Sequence, residues 1–243
     1  MTEPLTTVHL LQIWEEGQSL PLYQAATLLL QATLPMDEHP AMGAWTVGQR
    51  DRHLLEIREW LFGSTMPAVA RCPTCGEQAE FTLTVPDLYY PAFDMTEPHH
   101  FAAAGYQVTY QLPTLAHLTA VAERTDRRTA ILTHCILDAT YLGEPIESAT
   151  LPASILNAIA TQMGEADPQA DIQLDMRCPS CDTQWQTPFD IAHYLWRELD
   201  TWARRVQREV HIIASAYGWS EAQILQLSPV RRQAYIQLIL ENR

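Results

Sequence analysis

Two short cysteine turns constrain this chain more than anything else in it. The first reads Arg71-Cys72-Pro73-Thr74-Cys75-Gly76 and the second Arg177-Cys178-Pro179-Ser180-Cys181-Asp182, with 102 residues between Cys75 and Cys178. A Cys-x-x-Cys turn aims two sulfurs at one point, and two such turns supply the four thiolates of a closed tetrahedral zinc site. Proline after the first cysteine fixes one backbone angle of each turn. Gly76 takes a left-handed conformation freely, and Asp182 tolerates it nearly as well. Polar-apolar alternation follows each turn, in Gln78-Ala79-Glu80-Phe81-Thr82-Leu83 and in Thr183-Gln184-Trp185-Gln186, so each turn is read as the tip of a β-hairpin. The expectation is one structural zinc ion per chain, held by Cys72, Cys75, Cys178 and Cys181. With all four positions filled by protein, no place is left for a metal-bound water, so the ion would be structural and not a Lewis acid.

Helical patterns surround the hairpins. Residues 5–34 read as two apolar helices broken at Gly17, the second started by Ser19 and Pro21. Val47–Phe62 reads as an amphipathic surface helix closed by Gly63. Tyr106–Leu112 alternates as a strand. Leu115–Leu137 reads as one helical tract and Ala153–Met163 as another helix. Asp171–Met176 feeds the second turn as a strand. The longest helix starts near Pro188 and reaches about Tyr217, with Ile191, Leu195, Trp202, Val206, Val210, Ile213 and Tyr217 as its stripe; Trp196 and Leu199 then give it a second apolar side. Ser220-Glu221-Ala222-Gln223 is a capping box for a short helix, and Ser228-Pro229 opens the last one.

Residues 86–100 are aromatic and proline-rich and read as an ordered connection. His99-His100 is expected in a surface loop, its side chains pointing apart. Cys135, in an apolar helical run, is expected as a buried free thiol.

The fold class expected is therefore α+β, mostly helical, with a small zinc-ribbon-like β element made by the two Cys-Pro-x-Cys hairpins. Four regions follow: 1–66 helical; 67–112 with 171–188 the β element; 113–170 a helical insertion; 189–243 the long helix and two short ones, all in one integrated fold.

Charge narrows the partners. The formal net charge is −14 at pH 7 and lysine is absent, so every basic side chain is arginine or histidine. Nucleic-acid binding needs clustered cations and is not expected. No apolar run reaches the roughly 20 residues that span a bilayer, and Met1-Thr2-Glu3-Pro4 lacks a signal-peptide start; a soluble, cytoplasmic protein is expected. No phosphate-cradling glycine loop, nucleophile elbow or HExxH occurs, so neither enzyme activity nor a small-molecule substrate is expected.

The run Glu209-Val210-His211 through Tyr217-Gly218-Trp219-Ser220-Glu221, the run Ile224-Leu225-Gln226-Leu227-Ser228-Pro229 through Arg231-Arg232 to Tyr235, and the paired Arg-Cys-Pro turns together resemble the bacteriophage baseplate protein family of contractile tails and phage-like contractile injection systems. The N-terminal leucine-rich helices and Leu112-Pro113-Thr114 extend the resemblance over most of the chain. It implies a non-enzymatic part in building the baseplate or its hub, other baseplate or hub proteins as partners, and a place in the cytoplasm or in an assembled particle. Two other readings of the cysteine turns stay open: a zinc-ribbon adaptor binding a protein or nucleic-acid machinery, and a thiol redox protein.

Overall fold

In the computed structural model, residues 5–91 and 98–241 are described. They form two units, Met1–Pro35 with Ala192–Arg243, and Met36–Ile191. The fold class is α+β and mostly helical, with small antiparallel sheets.

The first unit is all helix. Helices α1 (Thr7–Gly17) and α2 (Leu22–Thr33) bury Leu10, Leu11, Ile13, Trp14, Ala25, Ala26, Leu29 and Leu30. Helix α7 (Ile191–Tyr217) is about 40 Å long at 1.5 Å per residue. Its buried stripe is Leu195, Leu199, Ala203, Val206 and Ile213. Leu199 thus lies at the centre of the stripe and not on a second side, while Tyr217 is exposed. Four-residue steps from Ile191 through Ala203, followed by a three-residue step, track the 3.6-residue period better than a stripe centred on Trp202. Trp14 Nε1 donates to Asp200 Oδ1 at 2.9 Å, tying α1 to α7. Gly17 does more than end α1: an added Cβ would sit 2.1 Å from the Trp196 indole. Helix α8 (Glu221–Leu225) has the expected Ser220–Gln223 capping box, and α9 (Pro229–Glu241) follows; Ile213, Ile224, Ile236 and Ile239 form their shared core.

The second unit starts with α3 (Val47–Phe62), entered through a Thr46–Gln49 capping box and closed by Gly63 at φ 83°. Gln49, Glu56 and Trp60 are exposed along one side of it, but its other side buries charged as well as apolar side chains. Arg50, Asp51 and Arg58 are buried with Leu54 and Leu55. Arg58 reaches past the helix end and donates to the carbonyls of Gly63 and, at 2.7 Å, Thr65, which satisfies its guanidinium without solvent. Strands β1 (Thr65–Arg71) and β2 (Gln78–Thr84) form the first cysteine hairpin, β7 (Gln173–Arg177) and β8 (Gln184–Pro188) the second. Each is a separate two-stranded sheet.

Between them lies a four-stranded sheet in the order β3 (His99–Ala103), β4 (Tyr106–Tyr110), β5 (Ile136–Tyr141), β6 (Glu144–Pro145). The alternating segment at Tyr106 belongs to this sheet and not to the cysteine hairpins. The expected helical tract Leu115–Leu137 is α4 (Leu115–Ala120), α5 (Arg127–Cys135) and then strand β5. Pairing of β5 with β4 takes Ile136 and Leu137, the end of the expected helix, into the sheet. His99-His100 likewise sits in β3 and not in a loop: His99 stacks on Tyr110, and His100 contacts Thr109 Oγ1 at 3.2 Å. Positions 92–97 of the expected aromatic connection lie outside the described residues. Helices α5 and α6 (Ala153–Ala166) cover one face of the sheet through Leu132, Cys135, Ile155, Leu156 and Ile159 against Val108, Tyr110 and Ala139. Cys135 is buried as expected, and burial pushes its thiol up to about 12.

Candidate metal centre

The two cysteine turns fold alike, hydrogen bond for hydrogen bond. Cys72 N donates to Glu77 O at 2.8 Å and Gly76 N to Cys72 O at 3.0 Å; Cys178 N donates to Thr183 O at 2.9 Å and Asp182 N to Cys178 O at 3.1 Å. The residue after each second cysteine is left-handed, Gly76 at φ 75° and Asp182 at φ 62°. Glycine takes this conformation at no cost; Asp182 is also held by a forked pair with Arg177, Nε to Oδ1 at 2.5 Å and Nη2 to Oδ2 at 2.7 Å.

The turns face each other. Cys72 and Cys75 lie with Cys178 and Cys181 so that all four sulfurs fall within 4.8 Å of one another. The first cysteine of each turn is nearest the second of the other: Cys72 to Cys181 is 3.6 Å and Cys75 to Cys178 is 3.5 Å. These separations exceed an S–S bond of about 2.05 Å. They match the edge of roughly 3.8 Å that four thiolates make around an ion with 2.3 Å metal–sulfur bonds. Cys72 and Cys178 are buried, Cys75 and Cys181 exposed.

Backbone donors favour the thiolate form. The Cys75 N–H, then the Thr74 N–H, holds Cys72 below the usual thiol range. The Thr183 hydroxyl, 3.2 Å away, and the Thr183 N–H draw Cys181 down to about 6. The Glu77 N–H acts the same way on Cys75, but Cys181 and Cys178 crowd it and push that thiol up to about 12. Four sulfurs this close cannot all ionise against their mutual repulsion unless a cation sits among them. The arrangement is therefore compatible with a metal site: soft donors, four sulfurs close enough to share one ion and amides already pointed at the sulfurs.

Reading the sequence for motifs missed the residues that brace this unit. Asp167 Oδ2 accepts from Gly48 N at 2.9 Å, placing a carboxylate on the N-terminus of α3. Gln169, also buried, accepts from Tyr90 N at 3.0 Å and donates to Leu88 O at 3.1 Å. In the sequence both lie in what reads as a polar turn, and nothing local marks them as buried. Glu209 of α7, in the other unit, is buried and pairs with Arg232, Nε to Oε2 at 2.8 Å.

No curated protein and no solved structure matches the chain. The family model described as T4 bacteriophage base plate protein matches residues 9–196, more than three quarters of the sequence. The match takes in α1 to α6, both cysteine hairpins and the first turns of α7. This chain belongs to the T4 bacteriophage base plate protein family.

Proposed function

We propose that this protein is a non-enzymatic structural or assembly component of the baseplate of a contractile phage tail or a phage-like injection system. In this reading one zinc ion, bound by Cys72, Cys75, Cys178 and Cys181, clamps its fold. The family match over residues 9–196 carries the baseplate reading. The convergence of four sulfurs from hairpins 102 residues apart carries the metal. Zinc fits best because it is tetrahedral, accepts four thiolates and brings no redox chemistry. All four donors are protein side chains, so the ion's part is to hold the two hairpins together and not to activate water. Among the described residues no helix is long and apolar enough to cross a membrane, which fits an assembly made in solution.

Two measurements test the two halves separately. Elemental analysis of the purified protein is expected to find one zinc per chain; metal-free protein with four reactive thiols overturns the clamp and leaves the family untouched. Sheath, tube and baseplate-wedge genes are expected beside this one, and the protein should co-assemble with their products. Failure to associate with any of them overturns the baseplate role.

A further inference from the structure

Two neighbouring hairpin turns break the same local rule in the same way. Ala104-Gly105 joins β3 to β4, and Leu142-Gly143 joins β5 to β6. All four residues have positive φ, at 51°, 83°, 53° and 89°. Two-residue turns of this kind favour asparagine, aspartate or glycine at the first position, because other side chains are strained there. Among the described residues, Ala104, Leu142 and Asp182 are the non-glycine residues with positive φ. Asp182 serves a cysteine turn; the other two occur side by side. Leu142 N donates to Gly105 O at 2.8 Å, and the Leu142 side chain lies over Gly105.

The strain is not offset by burial. Leu142 is 74 % exposed and Tyr141, whose ring lies 4.6 Å from that of Tyr106, is 41 % exposed. Ala103 and Ala104 beside them are exposed as well. An apolar side chain held in a strained conformation, and then left in water, contributes little to the fold. Strain of this kind marks a functional contact, and a contiguous exposed apolar end marks a protein surface.

Charge selects the kind of partner. Glu144, which pairs with Tyr141, is exposed on β6, and no lysine or arginine occurs between Arg71 and Arg124 or between Arg128 and Arg177. Both hairpins are therefore free of Lys and Arg. Two copies of this chain meeting through this end would bring Glu144 to a surface that offers it no lysine or arginine. We propose that this end of the four-stranded sheet docks a different protein, one with an apolar socket for Leu142 rimmed by arginine or lysine side chains that meet Glu144. The inference takes from family membership only that the chain is built together with other proteins, and it is independent of the metal.

The test places photoreactive benzoylphenylalanine at position 142 of the full chain, in cells assembling the particle. Crosslinked peptides are then identified by mass spectrometry. The expected adduct is with one different protein, on a segment bearing Arg or Lys, at a yield roughly tenfold above the same probe at Gln107, which faces the other side of the sheet. An adduct with a second copy of this chain, a segment without cations, or a yield no better than at Gln107 overturns the proposal. With the probe moved to Tyr141, Leu142→Asn is expected to keep or raise Tm, because asparagine suits the turn, while cutting the adduct about tenfold. A fall in Tm, or an unchanged adduct, means that Leu142 serves the hairpin and not a partner.

Discussion

Gly48 is the second residue of α3, and an added Cβ would lie 1.8 Å from Asp167 Oδ1 and 2.5 Å from its Cγ. Glycine-to-alanine changes inside helices ordinarily stabilise by nearly 1 kcal/mol. Here the sign is expected to reverse, with Gly48→Ala costing about 1–3 kcal/mol because the carboxylate must leave the helix N-terminus. Urea unfolding reads this directly, and a stabilised variant refutes the Asp167 cap. Nearby, burial pushes the Asp51 carboxyl up to about 7, against the opposing pull of Arg50 at 2.7 Å, with Asp190 and Asp167 adding to the rise. Its folded pKa lies above its unfolded value, so the folded state holds the extra proton between them. Stability is then expected to fall as pH rises from about 4 to about 7 and to level off above, by at most about 4 kcal/mol. Asp51→Asn should remove this part of the slope. Urea midpoints of both proteins at pH 5 and pH 8 check it, and parallel slopes would count against the buried charge.

At the scale of elements, α7 and α9 are joined by a buried ion pair and not by apolar contact alone. Arg232 and Glu209 are 2 % and 5 % exposed. Arg232 Nη1 also donates to Leu227 O at 2.7 Å, and Gln233 Nε2 donates to Glu209 Oε1 at 2.6 Å. Removing one partner leaves a charge in an apolar setting, so Arg232→Leu is expected to cost about 3–5 kcal/mol. Adding Glu209→Leu should recover a large part of that loss, because two leucines need no partner. A double-mutant cycle on thermal unfolding measures it; additive effects would show that the pair does not couple the helices. Gly17 and Trp196 make the corresponding joint between α1 and α7, where a residue with no side chain admits an indole.

For the molecule as a whole, the proposed metal would make the cysteine centre a cross-link between segments far apart in sequence. Such a link restricts the unfolded chain strongly, although the gain grows only slowly with loop length. Among its described residues the inserted segment contains a sheet, three α-helices and its own core, so the proposed clamp would close around folded structure and not a slack loop. In the proposed reading, metal binding would supply folding energy. Cys178→Ser is expected to abolish stoichiometric metal and lower Tm by several degrees or more, and a chelator should reproduce the loss in the unaltered protein. Unchanged melting after both treatments would leave the centre without a structural role.

The sequence by itself determined what is local and repetitive. The two turns, their left-handed fifth residues, the Ser220 capping box and the extent of α7 follow from spacing, glycine and proline placement and the 3.6-residue period. It also determined that four thiolates had to be reconciled, since Cys-Pro-x-Cys turns aim their sulfurs whatever surrounds them. Only the tertiary structure decided the rest. Ile136–Tyr141 becomes a strand because β4 lies beside it, Arg50 and Asp51 are buried as a pair with each other, and Arg58 is buried against carbonyls past the helix end. Glu209 meets Arg232 across 23 residues, and Asp167 meets Gly48 across 119. Such pairings have no sequence period. Burying either group alone costs desolvation, which is offset only when both are brought together, and the chain does that only after its elements have packed.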